Sequence, residues 1–238
     1  MASSPIRTSY RGFEVAEIPP NGQGIAALMA LGMMEQFDVR ALGPDHPDYW
    51  HLAIESMKLA FRDVHAQVAD PAYMNVSPAA MLDRDFLKSR AKLIDMKRAQ
   101  DFSPSAELRG GTVYLNAADE SGMMVSLIQS NYMGFGSGVV VDGISLQNRA
   151  NGFVLDPTHP NCVAGGKRPF HTIIPGFLTC GGKPLGPFGV MGGFMQPQGH
   201  VQVVMNTIDF QLNPQAALDA PRWEWGSGRE VHIERSTA

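Results

Sequence analysis

Arg109-Gly110-Gly111-Thr112-Val113-Tyr114-Leu115-Asn116 divides this chain into two kinds of sequence. Ahead of it the apolar residues recur at helical spacing. After it they fall into short runs with a period of two, broken by glycine. Two glycines before a threonine that opens a β-branched, aromatic run put a hydroxyl on the first residue of a strand. Read alone, the stretch is a turn entering a strand. A second reading is a self-cleaving Gly111–Thr112 bond that leaves Thr112 as a new N-terminus.

Working outward toward the N-terminus, residues 10–18 read as one strand, stopped by Pro19-Pro20-Asn21-Gly22. Residues 25–37 read as a helix, with Asn21 or Gly22 as a plausible cap. Pro44-Asp45-His46-Pro47 is a loop, and Asp48 is expected to cap a long amphipathic helix to about Ala69. On it Leu52, Met57, Leu59, Ala60 and Val64 face a core, while Glu55, Lys58, Arg62 and Asp63 are expected in water. His51 and His65 on that helix are expected to be solvated or partly buried, not ligands. Residues 83–97 read as a charged surface helix, followed by a polar connector to Arg109.

Toward the C-terminus, residues 112–118 and 123–130 form a hairpin across Asp119-Glu120-Ser121-Gly122. A glycine-rich loop, Gly134-Phe135-Gly136-Ser137-Gly138, lacks the lysine of a phosphate cradle. The short runs Val139-Val140-Val141 and Ile144-Ser145-Leu146 follow it. Residues 151–166 are irregular. Residues 170–179 and 185–191 pair across Cys180-Gly181-Gly182-Lys183. Residues 198–210 and 214–219 are helices, and residues 231–234 a last strand. Antiparallel hairpins flanked by amphipathic helices predict an α+β sandwich with helices outside stacked sheets.

Composition narrows the function. The 238 residues are 44% hydrophobic, enough for a sizeable core. The net charge of −4 with no basic block argues against nucleic acid as a partner. No apolar run is long enough to span a bilayer, and no signal-peptide pattern opens the chain, so a cytoplasmic location is expected if Met1 is the natural start. Cys162 and Cys180 have neither disulfide-framework nor zinc spacing. The seven histidines form no HxxxH or HxH pattern, so no metal is expected.

The chain resembles the γ-glutamyltranspeptidase family of N-terminal-nucleophile hydrolases. The resemblance is carried, in order, by Pro19-Pro20-Asn21-Gly22-Gln23-Gly24 with its flanking strand and helix, the Thr112 strand, and Gly134 through Gly138. Lys167-Arg168-Pro169 with Pro175, the Gly192-Gly193 pair, and residues 213–222 complete it. It implies a four-layer αββα sandwich with strands missing, no cofactor, and autoprocessing at Gly111–Thr112. Residues 1–111 would be the C-terminal part of a large subunit and residues 112–238 a small subunit, both within one sandwich and associated after cleavage. Met1 is then not expected to be the natural start.

Chemistry supports the same site. A threonine hydroxyl needs a base, and the freed α-amine of Thr112, with a pKa of about 7.7–8.0, is one. The resemblance implies that Ser130 supports the nucleophile and that Gly192 and Gly193 supply oxyanion donors. It also exposes departures in the substrate pocket. Family members that bind a γ-glutamyl group hold its ammonium with an acid and a glutamine, and its carboxylate partly with two serines. Here the acid's position is Gly152, the glutamine's is Arg149, the serines' are His171 and Thr172, and a pocket asparagine's is Tyr132. A fixed cation, Arg149, without the acid that would pair with a substrate ammonium group predicts a small acid amide lacking an α-amino group. Oxamate, hydrolysed by one branch of the superfamily, is such a substrate. Alternatives are a γ-glutamyl hydrolase or transpeptidase, a β-lactam side-chain acylase, and an inactive unprocessed fragment.

Overall fold

The computed structural model describes residues 3–102 and 112–235. The first hairpin joins β1 (Ile6–Tyr10) to β2 (Phe13–Glu17). Sequence reading placed one strand over residues 10–18, which misses β1 and runs through the turn. The turn between them is Arg11-Gly12, with φ of 52° and 85°, and arginine gives little signal for a left-handed turn position. The fold compensates with contacts from afar. Arg11 Nε lies 3.2 Å from Asp209 Oδ1, and its N–H donates to Glu35 Oε2 at 3.0 Å. Tyr10 donates to Asp209 at 2.6 Å.

Helix α1 (Gly24–Met34) is buried on every side, as expected of a helix apolar all round. It follows Gln23 as N-cap, not Asn21 or Gly22. It packs on α2 (Pro47–Gln67), whose N-cap is His46 instead of Asp48; the His46 imidazole accepts the Asp48 N–H, and Pro47 sits at the first helical position. On α2 Glu55 and Lys58 are not in water. Their side chains are 1% exposed and 2.7 Å apart. Both grip Gln100, Lys58 through its carbonyl at 3.1 Å and Glu55 through its N–H at 3.2 Å. Asp63 is likewise buried, 2.8 Å from Arg90, whereas Arg62 stays partly exposed. A helical wheel assigns these positions to solvent because it cannot see residues 90 and 100 folding back over them.

A single turn missed in the sequence, α3 (Pro78–Met81), comes next. The charged helix expected over residues 83–97 follows it and is shorter, α4 (Arg84–Ala91), capped by Asp83 on the Phe86 N–H at 2.9 Å. Gly32 of α1 lets Leu87 of α4 approach where any Cβ would overlap it.

Strands β3 (Thr112–Ala118) and β4 (Met124–Ser130) form the expected hairpin. Asp119 closes its turn, accepting from the Ser121 and Met123 N–H groups at 2.9 and 3.0 Å. A small ribbon follows, β5 (Val140–Val141) with β6 (Ile144–Ser145). Next come β7 (Gly176–Cys180) and β8 (Lys183–Phe188), shorter than the runs suggest, since residues 170–175 are irregular. The main sheet has the antiparallel order β1-β2-β7-β8. The β3–β4 hairpin lies beside it: Ser126 Oγ donates to the Gly176 carbonyl at 3.0 Å, and the Tyr114 ring covers Gly189.

Helix α5 (Met195–Ile208) begins three residues earlier than periodicity suggests, and α6 (Pro214–Asp219) starts on an Asn213 cap. A strand missed in the sequence, β9 (Trp223–Trp225), pairs with β10 (Val231–Ile233). One hydrophobic core draws on both sides of Thr112, bringing Leu28, Met29, Met57 and Phe61 together with Val201, Met205 and Trp223. The architecture is α+β, helices on antiparallel sheet.

Candidate active site

The hairpin register builds the centre. Thr112 stands opposite Ser130, and directly opposed side chains on one face have Cβ atoms about 4.5–5.5 Å apart. Ser130 Oγ accepts the Tyr132 N–H at 2.9 Å. Thr112 is half-buried, and the face it shares with Tyr114 is the more protected one. Gly110 and Gly111, on the other side of the expected cleavage point, lie outside the described residues.

Beyond Ser130 the chain turns through Tyr132, buried and at φ 80°. Its ring lies under the Arg149 guanidinium, 4.9 Å from Cζ to centroid. Arg149 opens a single 3-10 turn, Arg149–Gly152. It donates to Thr172 Oγ1 at 2.9 Å and to the Ser130 carbonyl at 3.4 Å. Ser130, Tyr132, Arg149 and Thr172 are thus one contact cluster at the end of the β3–β4 hairpin. Burial lowers the Arg149 pKa, yet a guanidinium starts so far above neutrality that it stays charged.

His171 adjoins the cluster. Its Nδ1 accepts the Ile173 N–H at 3.2 Å, which leaves the proton on Nε2 of the neutral ring. Burial, with Arg149 and Arg168 nearby, pushes its pKa down to about 4. The ring presses on Gly22, where a Cβ would come within 2.8 Å of Cε1. At neutral pH His171 is therefore an uncharged donor, not a second cation.

Gly152 leaves no room for an acid. A Cβ there would overlap the Phe170 carbonyl oxygen. Asn161, which sequence reading passed over, holds the two segments together: its amide donates to the Gly152 carbonyl at 2.6 Å, and its oxygen accepts the Phe170 N–H at 3.0 Å. Asp70, also missed, fixes the Lys167-Arg168-Pro169 segment by accepting from the Arg168 N–H at 3.0 Å and its guanidinium at 3.2 Å. Those hydrogen bonds hold the Asp70 carboxyl down at about 2.

Gly192 and Gly193 have φ of 116° and 59° and stand immediately before α5. The Met195 N–H donates to the Gly192 carbonyl at 3.0 Å. A helix start concentrates unpaired N–H groups and a positive dipole end, the field a developing oxyanion needs. The link between this turn and the Arg149 cluster is Gln23, whose amide nitrogen donates to both the Thr172 and Gly193 carbonyls. Phe135, at the centre of the glycine-rich loop, is 87% exposed. Among the described residues no group of His, Cys, Asp or Glu could hold a metal ion, and no helix is long and apolar enough to cross a membrane.

Comparison with known proteins gives the same direction. The family model described as Gamma-glutamyltranspeptidase matches residues 1–238. The glutathione hydrolase-like YwrD proenzyme of Bacillus subtilis is 35% identical over 226 residues, covering 94% of this chain and 43% of that protein. The oxamate amidohydrolase proenzyme of Klebsiella pneumoniae is 32% identical over 232 residues, 95% of this chain and 43% of that protein. The crystal structure of cephalosporin acylase from Bacillus halodurans superposes with a TM-score of 0.92 at 53% identity, covering 99% of this chain and 43% of that one. The chain thus spans less than half the length of these three proteins, and it shares the acylase's fold over nearly its whole length.

Proposed function

The chain belongs to the γ-glutamyltranspeptidase family, and on that premise we propose that Thr112 is freed by cleavage at Gly111–Thr112 and then hydrolyses amides whose small acyl group ends in a carboxylate. The observation that carries the substrate class is the fixed cation Arg149, one contact from Ser130 and Thr172, beside a Gly152 that admits no acidic side chain. An α-ammonium group would meet a cation there; a carboxylate meets a planar fork of donors.

In this reading the α-amine of Thr112 takes the proton of its own hydroxyl, and the alkoxide attacks the amide carbonyl. The tetrahedral oxyanion is held by N–H groups of the Gly192-Gly193 turn. The collapsing intermediate expels the amine, which leaves with the proton held by the α-amine. Water, activated by the same amine, hydrolyses the resulting ester and restores Thr112. Before cleavage the nitrogen is an amide, not a base, and the site is off. The two products of cleavage remain associated, since the core draws on both.

Oxamate, a carboxylate joined directly to an amide, is the finer proposal. The 53% identity to the cephalosporin acylase favours a second one, removal of a carboxylate-ended side chain from a larger amine. Intact mass after incubation at neutral pH, beside Thr112→Ala, tests the first step. Two fragments split at Gly111–Thr112, absent from the variant, are expected. Ammonia release from oxamate, and amine release from glutaryl- and γ-glutamyl-p-nitroanilide, then sort the substrates. A single uncut mass, or preference for the γ-glutamyl compound, overturns the proposal.

A further inference from the structure

Gln23 is fully buried, yet its side chain makes no helix cap for α1, which it precedes. The α1 start uses the Gln23 main chain instead, the carbonyl accepting the Ala26 N–H at 2.9 Å. The side-chain amide is committed elsewhere. Its nitrogen donates to the Thr172 carbonyl at 2.9 Å, 149 residues away, and to the Gly193 carbonyl at 2.8 Å, 170 residues away. The Gln23 N–H adds a third tie, to the His171 carbonyl at 3.0 Å.

These two carbonyls belong to different halves of the proposed site. Gly193 sits at φ 59° after Gly192 at 116°, a conformation open to glycine without steric cost, so hydrogen bonds to its carbonyls decide how the turn is held. Peptide units are rigid planes, so the Gln23 bond holds the Gly193–Phe194 plane, whose N–H is that of Phe194 and which joins the Gly192–Gly193 plane at the Gly193 Cα. The preceding plane is held by the Met195 N–H. Thr172 meanwhile presents its hydroxyl to Arg149 at 2.9 Å. One amide nitrogen therefore spans the oxyanion turn and the residue that aims the carboxylate anchor.

We infer that Gln23 is a positioning residue that sets the separation between the Arg149 anchor and the oxyanion donors, and so the acyl length that reacts. The inference rests on the proposed function for its substrate class. An acyl group gripped at its carboxylate end places its scissile carbonyl at a distance fixed by its own length. Rate then depends on whether the donors stand at that distance, and a misplacement of about 1 Å costs up to about 100-fold.

The test is Gln23→Met, nearly isosteric and without the donor, assayed on oxamate and on succinyl-, glutaryl- and adipyl-p-nitroanilide. On the preferred length kcat is expected to fall about 10- to 100-fold with KM within about two-fold, and the preference among lengths to flatten. A residue that only stabilises the fold lowers the active fraction equally for every length. Amide hydrogen exchange of the peptides covering residues 171–174 and 191–196 is read in parallel, and both are expected to lose protection together. If the wild type cleaves these amides and Gln23→Met keeps both kcat and length preference, the inference falls while the proposed function stands. If the wild type cleaves none of them the proposed function falls, and exchange decides the positioning role: unchanged protection in both peptides overturns it. Should Gln23→Met not fold, Gln23→Asn, one methylene too short to reach both carbonyls, carries the same two readouts.

Discussion

Replacing Arg149 by methionine removes the cation and keeps most of the stem over Tyr132. Two of its five N–H groups are spent on Thr172 and Ser130, so the others can meet a substrate carboxylate. Each charge-assisted hydrogen bond is worth about 1.5–3 kcal/mol. The guanidinium is only part-buried, so screening holds a two-bond contact near the low end, about 3–4 kcal/mol in all. At about 1.4 kcal/mol per decade this is a loss of about 10²- to 10³-fold in kcat/KM. The assay pairs an anionic substrate with a neutral one of the same shape: oxamate with oxamide, and glutaryl- with pentanoyl-p-nitroanilide. Arg149→Met should depress the anionic member by that factor and the neutral member by less than about three-fold. Arg149→Lys should recover little, because an ammonium cannot hold Thr172, Ser130 and a carboxylate together. Equal loss on both members, or none on either, would refute the assignment of Arg149 as carboxylate anchor.

The remaining predictions concern pH, burial and space. Activity should rise with pH through the α-amine pKa of Thr112, about 7.7–8.0, with no inflection from His171, which titrates near 4; a His171→Asn profile with a shifted midpoint would contradict this. His171 and His65 are both held at about 4 against an ordinary 6.5. The unfolded chain therefore binds protons first, and denaturant titrations should show stability present above pH 6.5 and falling from there toward pH 4. Lys58→Met should cost about 3–5 kcal/mol by leaving the Glu55 carboxylate buried without its cation, measured by urea unfolding, and adding Glu55→Gln should return part of it. Gly152→Ala should lower the melting temperature by forcing the turn off Phe170, at about 1–3 kcal/mol; an unchanged melting temperature would show that the turn has room.

The sequence alone determined what depends on neighbours along the chain. The β3–β4 hairpin followed from a period of two and a tight turn, and the register the structure gives it places Thr112 opposite Ser130. The run of residues 25–37, apolar at helical spacing, marked helix α1, and Asn213-Pro214 marked the start of α6. The residues proposed for the pocket, Tyr132, Arg149 and Thr172, were nameable because the order of motifs along the chain resembles a family's. Tertiary structure alone decided which polar groups went inside. Glu55 and Lys58 look like solvent positions on a helical wheel and become buried only because Gln100 returns over them. Gln23 looks like a turn residue and becomes the tie between Thr172 and Gly193, 149 and 170 residues distant. The Arg11-Gly12 turn carries little local signal and is held by Glu35 and Asp209. Periodicity reports average exposure within a window of a few turns. A buried polar side chain is stable only with partners, and here those partners come from segments that no window joins.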